Sequence, residues 1–524
     1  MIKKYLLLLF LVIIPLLSSA QQEVSIIPAP QNCKLGDGYF NLSGNNKLFA
    51  DRPFENELHF LQKELLRYRG ITTAISCEDK KATILLKKAD CQNCLYQIEV
   101  NQHRITISSN SDQGIFYGVV SLLQLVNNAK TVEQSLQIPC ITVKDFPEMG
   151  WRGLMLDESR HFFGKVKVKS ILDWMAYYKL NWFHWHLTDE PGWRIEIKKY
   201  PKLALVGGVG TFTNASSPSQ YYTQEDIKEI VAYAKERKIE IIPEIDMPGH
   251  ATAANRAYPE FSGGGSEKHP EFTFNPAKEG TYQYLTNILK EVNVLFPSQM
   301  IHLGGDEVSF GIERWKADSS IQQLMKIKKL ADLKAVENYF MQRMADSLIY
   351  LNAKVLAWDE MAEVDLPRNR SIIFWWRHDN PGQLKKSLEN GYQTVVCPRL
   401  PFYFDFVQKD DHRFGRKWAG GFNDLQSVYD FSISKLSIDS KYLLQILGVQ
   451  ANIWTETIIN EQRLDYLMFP RIAALAETSW SSAKGKNYDN FLLRLKPHIE
   501  LYKQQRIYYF DPFEPGNHPE PVLW

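Results

Sequence analysis

Past residue 146 the chain alternates between two hydrophobic periods. Short apolar runs, which read as strands, fall at 153–157, 182–188, 240–246, 300–304, 354–358, 372–376, 394–397 and 447–453. Between most of them lie longer stretches with apolar residues three and four apart, the spacing of a helix with one buried face. These fall at 165–178, 223–238, 277–295, 331–350 and 381–390, with 464–478 after the last strand. Runs that are apolar throughout, rather than alternating, suit a parallel sheet covered on its outer face. Eight such units predict an α/β fold, a (β/α)8 TIM barrel, which takes about 250 residues before insertions. An open doubly wound sheet would need a glycine-rich phosphate loop after its first strand. Leu154-Met155-Leu156-Asp157 leads to nothing of that kind.

The pattern before residue 146 is different. Strand-like runs at 82–87, 96–100 and 104–108 and a helical stretch at 114–127 predict a small α+β domain over 21–145. Charges are scattered through it, so its expected role is structural. Asp145-Phe146-Pro147 marks the boundary, and 146–524 holds the barrel with a C-terminal extension. Residues 1–20 stand apart from both. Lys3 and Lys4 precede an apolar run to Leu17, and Ser18-Ser19-Ala20 offers small residues for cleavage, as in a signal peptide. The run falls short of the about 20 residues a membrane span needs. An exported, periplasmic or secreted protein with no stable span after cleavage is expected.

Composition narrows the function classes. The 61 basic and 60 acidic residues balance, so nothing electrostatic points to nucleic acid or an anionic membrane. Six cysteines in 524 residues make no disulfide framework. Cys91 and Cys94 have metal-ligand spacing without a second pair, and a local disulfide is the better reading. The 13 Trp, 25 Tyr and 28 Phe would suit sugar faces, although any single aromatic is usually core.

The strand exits carry the chemistry, because a barrel assembles its site at the carboxyl ends of its strands. In order they offer Asp157, Arg160 and His161; His184, His186, Asp189 and Glu190; Glu244, Asp246 and His250; Asp306 and Glu307. Then come Trp358, Asp359 and Glu360; Trp375, Trp376 and Arg377; Tyr403 and Asp405; Trp454 and Glu456. Acids and indoles together make a polar floor with apolar walls, which fits a pyranose ring. A lone Asp at a strand end is more often a helix cap or a structural ion pair. His184 and His186, two apart on one strand face, could be a metal pair, but further ligands are not evident. Eight matching exits favour one site over unrelated caps, and the residues call for no metal and no cofactor.

Five stretches resemble glycoside hydrolase family 20, the exo-acting β-N-acetylhexosaminidases. They run from Asp157 to Phe162, His184 to Arg194, Pro243 to His250, His302 to Glu307 and Gly448 to Glu456. The resemblance covers essentially the whole chain after residue 20, including a small α+β domain before the barrel. Glu190-Pro191 departs from the family's Asp-Gln. The resemblance implies a retaining, substrate-assisted mechanism on glycans ending in N-acetylglucosamine or N-acetylgalactosamine, with an oxazolinium-type intermediate. By motif position Glu307 would be the acid/base, while Asp306 and Tyr403 would hold the acetamido group. Trp358, Trp376 and Trp454 would wall the pocket. Arg160, Asp405 and Glu456 would bind ring hydroxyls, and Asp189 and His250 would tune Glu307. A retaining glycosidase with a carboxylate nucleophile and an inactive carbohydrate-binding protein are the alternatives.

Two expectations follow from the chemistry of these residue types. Burial and the Asp306 charge should raise the Glu307 pKa, whereas Asp306 should sit in more polar surroundings and stay ionised. Neighbours on a strand point to opposite sides, so the two acids share a task only if the chain curls after Gly305.

Overall fold

The computed structural model describes residues 24–417 and 421–522. The expected signal peptide, residues 1–20, lies outside the described residues. No helix among the described residues is long and apolar enough to cross a membrane.

The N-terminal domain is a mixed sheet. From one edge its strands run Asn32–Leu42, Ser135–Asp145, Tyr96–Val100, Ile105–Ser109, Ile84–Lys88, Lys47–Ala50 and Ala74–Ile75. Helices Glu55–Arg69 and Asp112–Asn127 pack with it. The second helix is capped by Ser111, whose side chain accepts from the Gly114 N–H. It is apolar nearly all round, as a helix covered on every side must be. Its Gln124 amide donates to both Ile27 O and Tyr177 O at 2.7 Å, joining the first domain to the barrel helix Gly164–Tyr177.

Eight parallel strands then close into a barrel. They are Trp151–Asp157, Trp182–His186, Glu240–Glu244, Met300–His302, Lys354–Trp358, Ser371–Trp375, Gln393–Val396 and Ile446–Ile453, and the last pairs with the first. Leu154 and Leu156 pack outward under the helices, while Met155 points into the barrel with Ile242, Leu356 and Phe374. The second, third and fourth strands end two residues earlier than their apolar patterns suggest. Asp189, Asp246, His250, Asp306 and Glu307 therefore sit on loops, where the chain can turn its side chains freely.

One expected helix is not continuous. The stretch 464–478 is split into Glu461–Met468 and Arg471–Trp480. Pro470 has no N–H to donate and its ring pushes the preceding residue out of the helical region, so Phe469 is extended at φ −98° and ψ 136°.

Helix Arg471–Trp480 closes a buried seam between the domains. Lys179 Nζ lies 3.3 Å from Asp145 Oδ2, with both side chains fully buried. Tyr96 OH donates to the same oxygen at 2.5 Å, and Trp480 Nε1 donates to Asp145 Oδ1 at 3.0 Å. Arg152 spends its guanidinium on Lys179 O, Met149 O and Tyr117 OH. A disulfide joins Cys91 and Cys94, whose Cα atoms are 5.3 Å apart.

Candidate active site

The fourth strand makes the decisive turn. After His302 the chain passes through Gly304 at φ +68°, Gly305 at φ +90° and Glu307 at φ +52°. Glycine is needed here on two counts. The left-handed region suits it, and a Cβ on Gly304 would fall 1.8 Å from Asp246 Oδ1. The curl brings two adjacent carboxylates to one side. Asp306 Oδ2 and Glu307 Oε2 each lie 3.7 Å from His250 Nε2.

Behind that imidazole runs a chain of charges. His250 Nδ1 meets Asp189 Oδ1 at 3.0 Å, and Asp189 Oδ2 takes Arg160 Nη1 at 2.6 Å and His186 Nε2 at 2.9 Å. His186 Nδ1 continues to Glu244 Oε2 at 2.6 Å. Glu244 is fully buried and shared further, by His184 at 3.0 Å, His302 at 2.9 Å and the Trp358 indole N–H at 2.9 Å. His184, Glu244 and His302 cluster closely enough to be ligands in principle. Glu244 ties the trio together beneath Trp358, while His302 Nε2 is buried with no hydrogen-bond partner among the described residues.

A narrow pocket opens above this support. Its lining is Arg160, Asp306, Glu307, Trp358, Trp376, Tyr403, Trp454, Glu456 and Arg416. Tyr403 stacks on Trp376 with ring centres 6.4 Å apart and faces Trp454 at 6.3 Å. The Trp376 indole is pinned by Glu360 Oε2 at 3.1 Å, and the Arg160 guanidinium sits over Trp454 at 5.1 Å. Three indoles and a phenol held in fixed orientations present flat apolar faces, while Asp306 Oδ1 is buried with no hydrogen-bond partner among the described residues. An unpartnered buried carboxylate oxygen in a pocket is a group awaiting a donor.

Comparison with known proteins agrees with that geometry. Residues 149–483 match the catalytic domain of glycosyl hydrolase family 20, and residues 23–146 match domain 2 of the same family. The chain belongs to glycosyl hydrolase family 20. It is 34% identical over 504 residues to a beta-hexosaminidase of Porphyromonas gingivalis, an overlap of 90% of this chain and 62% of that protein. It thus spans under two thirds of that relative's length. A beta-hexosaminidase of Vibrio furnissii is 31% identical over 86% of this chain and 76% of that protein. The exo beta-N-acetylglucosaminidase of Vibrio harveyi, solved in complex with N-acetylglucosamine, superposes with TM-score 0.86 at 29% identity, covering 94% and 79% of the two chains. The beta-N-acetylhexosaminidase of Bacteroides fragilis gives TM-score 0.82 at 32% identity, covering 92% and 96%.

In this family 20 chain the acid pair departs from the expected electrostatics. Glu307, expected to be the buried member, has a third of its side chain exposed. Asp306, expected to have the more polar surroundings, is the one whose carboxyl burial pushes up to about 7; the His250 imidazolium restrains that rise and the Glu307 charge adds to it. The reason is the curl, which turns Asp306 inward and leaves Glu307 at the rim. Burial also works against the His250 imidazolium, but Asp189 and Asp246 outweigh it and hold that pKa well above the usual value. Asp189 goes the other way: Arg160 and His250 overcome its burial and keep it ionised.

Asp405 does not line the pocket itself. It sits behind Arg416, whose Nε is 3.0 Å from Asp405 Oδ2 while Nη2 reaches Glu456 Oε1 at 2.6 Å. Burial drives the Asp405 carboxyl up to about 7 against the pull of Arg416. Sequence reading missed Arg416. It lies in a loop without periodicity, and only the spatial meeting of Asp405 and Glu456 gives it a role. Two strand-exit residues prove structural. Asp157 accepts from Thr455 N at 3.0 Å and ties the last strand to the first, and Asp359 holds Arg377 and the Trp376 N–H.

Proposed function

We propose that this protein is an exo-acting β-N-acetylhexosaminidase that releases terminal N-acetylglucosamine or N-acetylgalactosamine with retention, through a cyclised acetamido intermediate. One observation carries the reading: adjacent carboxylates, Asp306 and Glu307, meet the same imidazole edge at the mouth of an indole-walled pocket. A scheme with a carboxylate nucleophile sets its two acids across the scissile bond, about 5–5.5 Å apart on opposite sides. Here both come from one curl on one side of the pocket, which favours a nucleophile supplied by the substrate.

The roles follow from position and charge. Glu307 at the rim protonates the leaving oxygen and later takes a proton from water. Asp306 accepts the acetamido N–H on its free Oδ1. Its buried carboxylate is poorly solvated in the free enzyme and becomes favourable once the oxazolinium ring gains positive charge. That difference stabilises the transition state over the ground state. Tyr403 donates to the acetamido oxygen and fixes its line of attack. Arg160 and Glu456 take ring hydroxyls, with Asp405 acting beside Arg416, and Asp189 keeps His250 protonated facing Glu307. Residues 1–20 support export to the periplasm or outside the cell.

The test is to offer aryl β-N-acetylglucosaminide and aryl β-glucoside to the purified protein. Cleavage of the first alone, blocked by a thiazoline mimic of the intermediate, is expected. Equal cleavage of both would replace this reading with the carboxylate-nucleophile alternative.

A further inference from the structure

The loop that delivers Arg416 to the sugar pocket has two arms, and they are held in different ways. Its outgoing arm, residues 404–408, is fastened to the two helices that follow the last strand. Arg471 donates to Phe404 O at 2.5 Å and to Phe406 O at 3.0 Å, and the Gln408 amide donates to Tyr466 O at 2.5 Å. The returning arm, residues 413–417, pairs with the first at Arg416. The Arg416 N–H donates to Asp405 O at 3.2 Å, and its carbonyl accepts from Val407 N at 3.2 Å.

The returning arm is gripped by a residue 106 positions further along the chain. Glu520 accepts from two successive N–H groups on it, Arg413 N at 2.7 Å on Oε2 and Phe414 N at 2.9 Å on Oε1. A carboxylate that takes adjacent backbone N–H groups fixes both peptide planes, and its charge makes such bonds about twice as strong as neutral ones. Arg463, whose side chain is fully buried, ties the same segment to the neighbouring wall of the pocket. Its Nη1 donates to Pro521 O at 2.7 Å and its Nε to Thr457 O at 2.7 Å, next to Glu456, while Nη2 stands 3.9 Å from Glu520 Oε1. The segment around Glu520 has anchors of its own. Tyr508 OH donates to Pro519 O at 2.8 Å, and His518 Nδ1 lies 3.0 Å from Tyr509 O.

We propose that Glu520 is a positioning residue for sugar binding. Through the returning arm it sets where the Arg416 guanidinium stands, and Arg416 in turn bridges Asp405 and Glu456. The inference rests on the hexosaminidase reading, in which those carboxylates serve the ring hydroxyls of the terminal sugar. Glu520 is not among the residues that line the pocket, so its influence passes through the loop. Without its carboxylate the Arg413 and Phe414 N–H groups turn to water, and the arm that carries Arg416 is released. Asp405 and Glu456 then lose the cation between them, and each disfavours the charged form of the other. Because Arg463 holds Thr457 to the same segment, both walls of that corner of the pocket take their position from one place.

The experiment is a double-mutant cycle between Glu520 and Arg416, read in steady-state kinetics on aryl β-N-acetylglucosaminide. Glu520→Ala should raise KM roughly tenfold and leave kcat within about twofold, since two charge-assisted bonds to the loop are lost and the acid pair is untouched. Glu520→Gln keeps one acceptor oxygen and should recover part of that loss. In the Arg416→Ala background, Glu520→Ala should add nothing further to KM. A KM increase that persists in full without Arg416, or a fall in kcat with KM unchanged, would overturn the positioning role. So would an unchanged KM in Glu520→Ala. Where Glu520→Ala does not fold, the cycle is run with Glu520→Gln under the same criteria. Wild-type protein that cleaves aryl β-glucoside instead would overturn the hexosaminidase reading, while the cycle on that substrate still decides the role of Glu520. Cleavage of neither substrate would overturn both.

Discussion

The domain seam and the catalytic cluster are both buried knots of charge, yet they are built to opposite ends. In the seam, Asp145 spends one oxygen on Tyr96 and Lys179 and the other on Trp480 and two backbone N–H groups. Burial lowers the Lys179 pKa, and Asp145 works against that. In the catalytic cluster, His250 Nε2 and Asp306 Oδ1 have no hydrogen-bond partner among the described residues, and Asp306 is held as a poorly solvated acid. A closed knot serves stability. An open one stores a demand for a ligand, at some cost to the fold.

The largest effect expected on the open knot is on rate. Glu307→Gln should lose about 10²–10⁴ in kcat on substrates with poor leaving groups, and much less on activated aryl glycosides. Its unfolding midpoint should match wild type, since the side chain is a third exposed. Equal losses on both substrate types would show that Glu307 is not the acid. For the closed knot, Lys179→Met leaves Asp145 buried without its cation and should cost about 3–5 kcal/mol in denaturant unfolding at pH 7. Specific activity of the folded fraction should stay at the wild-type level; a loss of rate would mean the two regions are coupled.

Asp306→Asn should do the reverse. The Asp306 carboxyl rises from 3.8 to about 7 on folding. Its contribution to stability is therefore whole below about pH 4 and is lost as pH rises through 7. The variant should be nearly inactive yet more stable than wild type by about 1–3 kcal/mol at pH 8, with no gain at pH 4. A variant less stable at pH 8 would place Asp306 among structural acids like Asp145. The smallest effect is a displacement. His250→Ala removes the cation that restrains the Asp306 pKa, so the acidic limb of kcat/KM should move upward by up to about one pH unit. An unmoved limb would take His250 out of the network.

The barrel was legible because strands in a closed parallel sheet are apolar along their whole length. Their ends were not. Leu187, Ile245 and Leu303 are fully buried apolar residues just past the second, third and fourth strands, so pattern alone runs on through them. The N-terminal strand Asn32–Leu42 was invisible for the opposite reason, being exposed over most of its length with no alternation. Most of the candidate site could be read from motif position. The inward turn of Asp306 could not, since it depends on left-handed backbone at Gly304, Gly305 and Glu307 rather than on composition. Nor could Arg416, whose place between Asp405 and Glu456 arises only where separate loops converge.

The seam also sets an order in time. Asp145 meets Trp480 across 335 residues, the Ala29 N–H meets Glu477 across 448, and Ile26 O meets Arg494 across 468. At synthesis rates of about 5–20 residues per second, the first domain waits roughly 15–70 s for the segments that complete it. During that interval Asp145 lacks its Trp480 donor, and the segment from Ile26 to Ala29 lacks Glu477 and Arg494. A chain of this design is committed late, and its vulnerable period is set by the distance between its ends rather than by the speed of either domain.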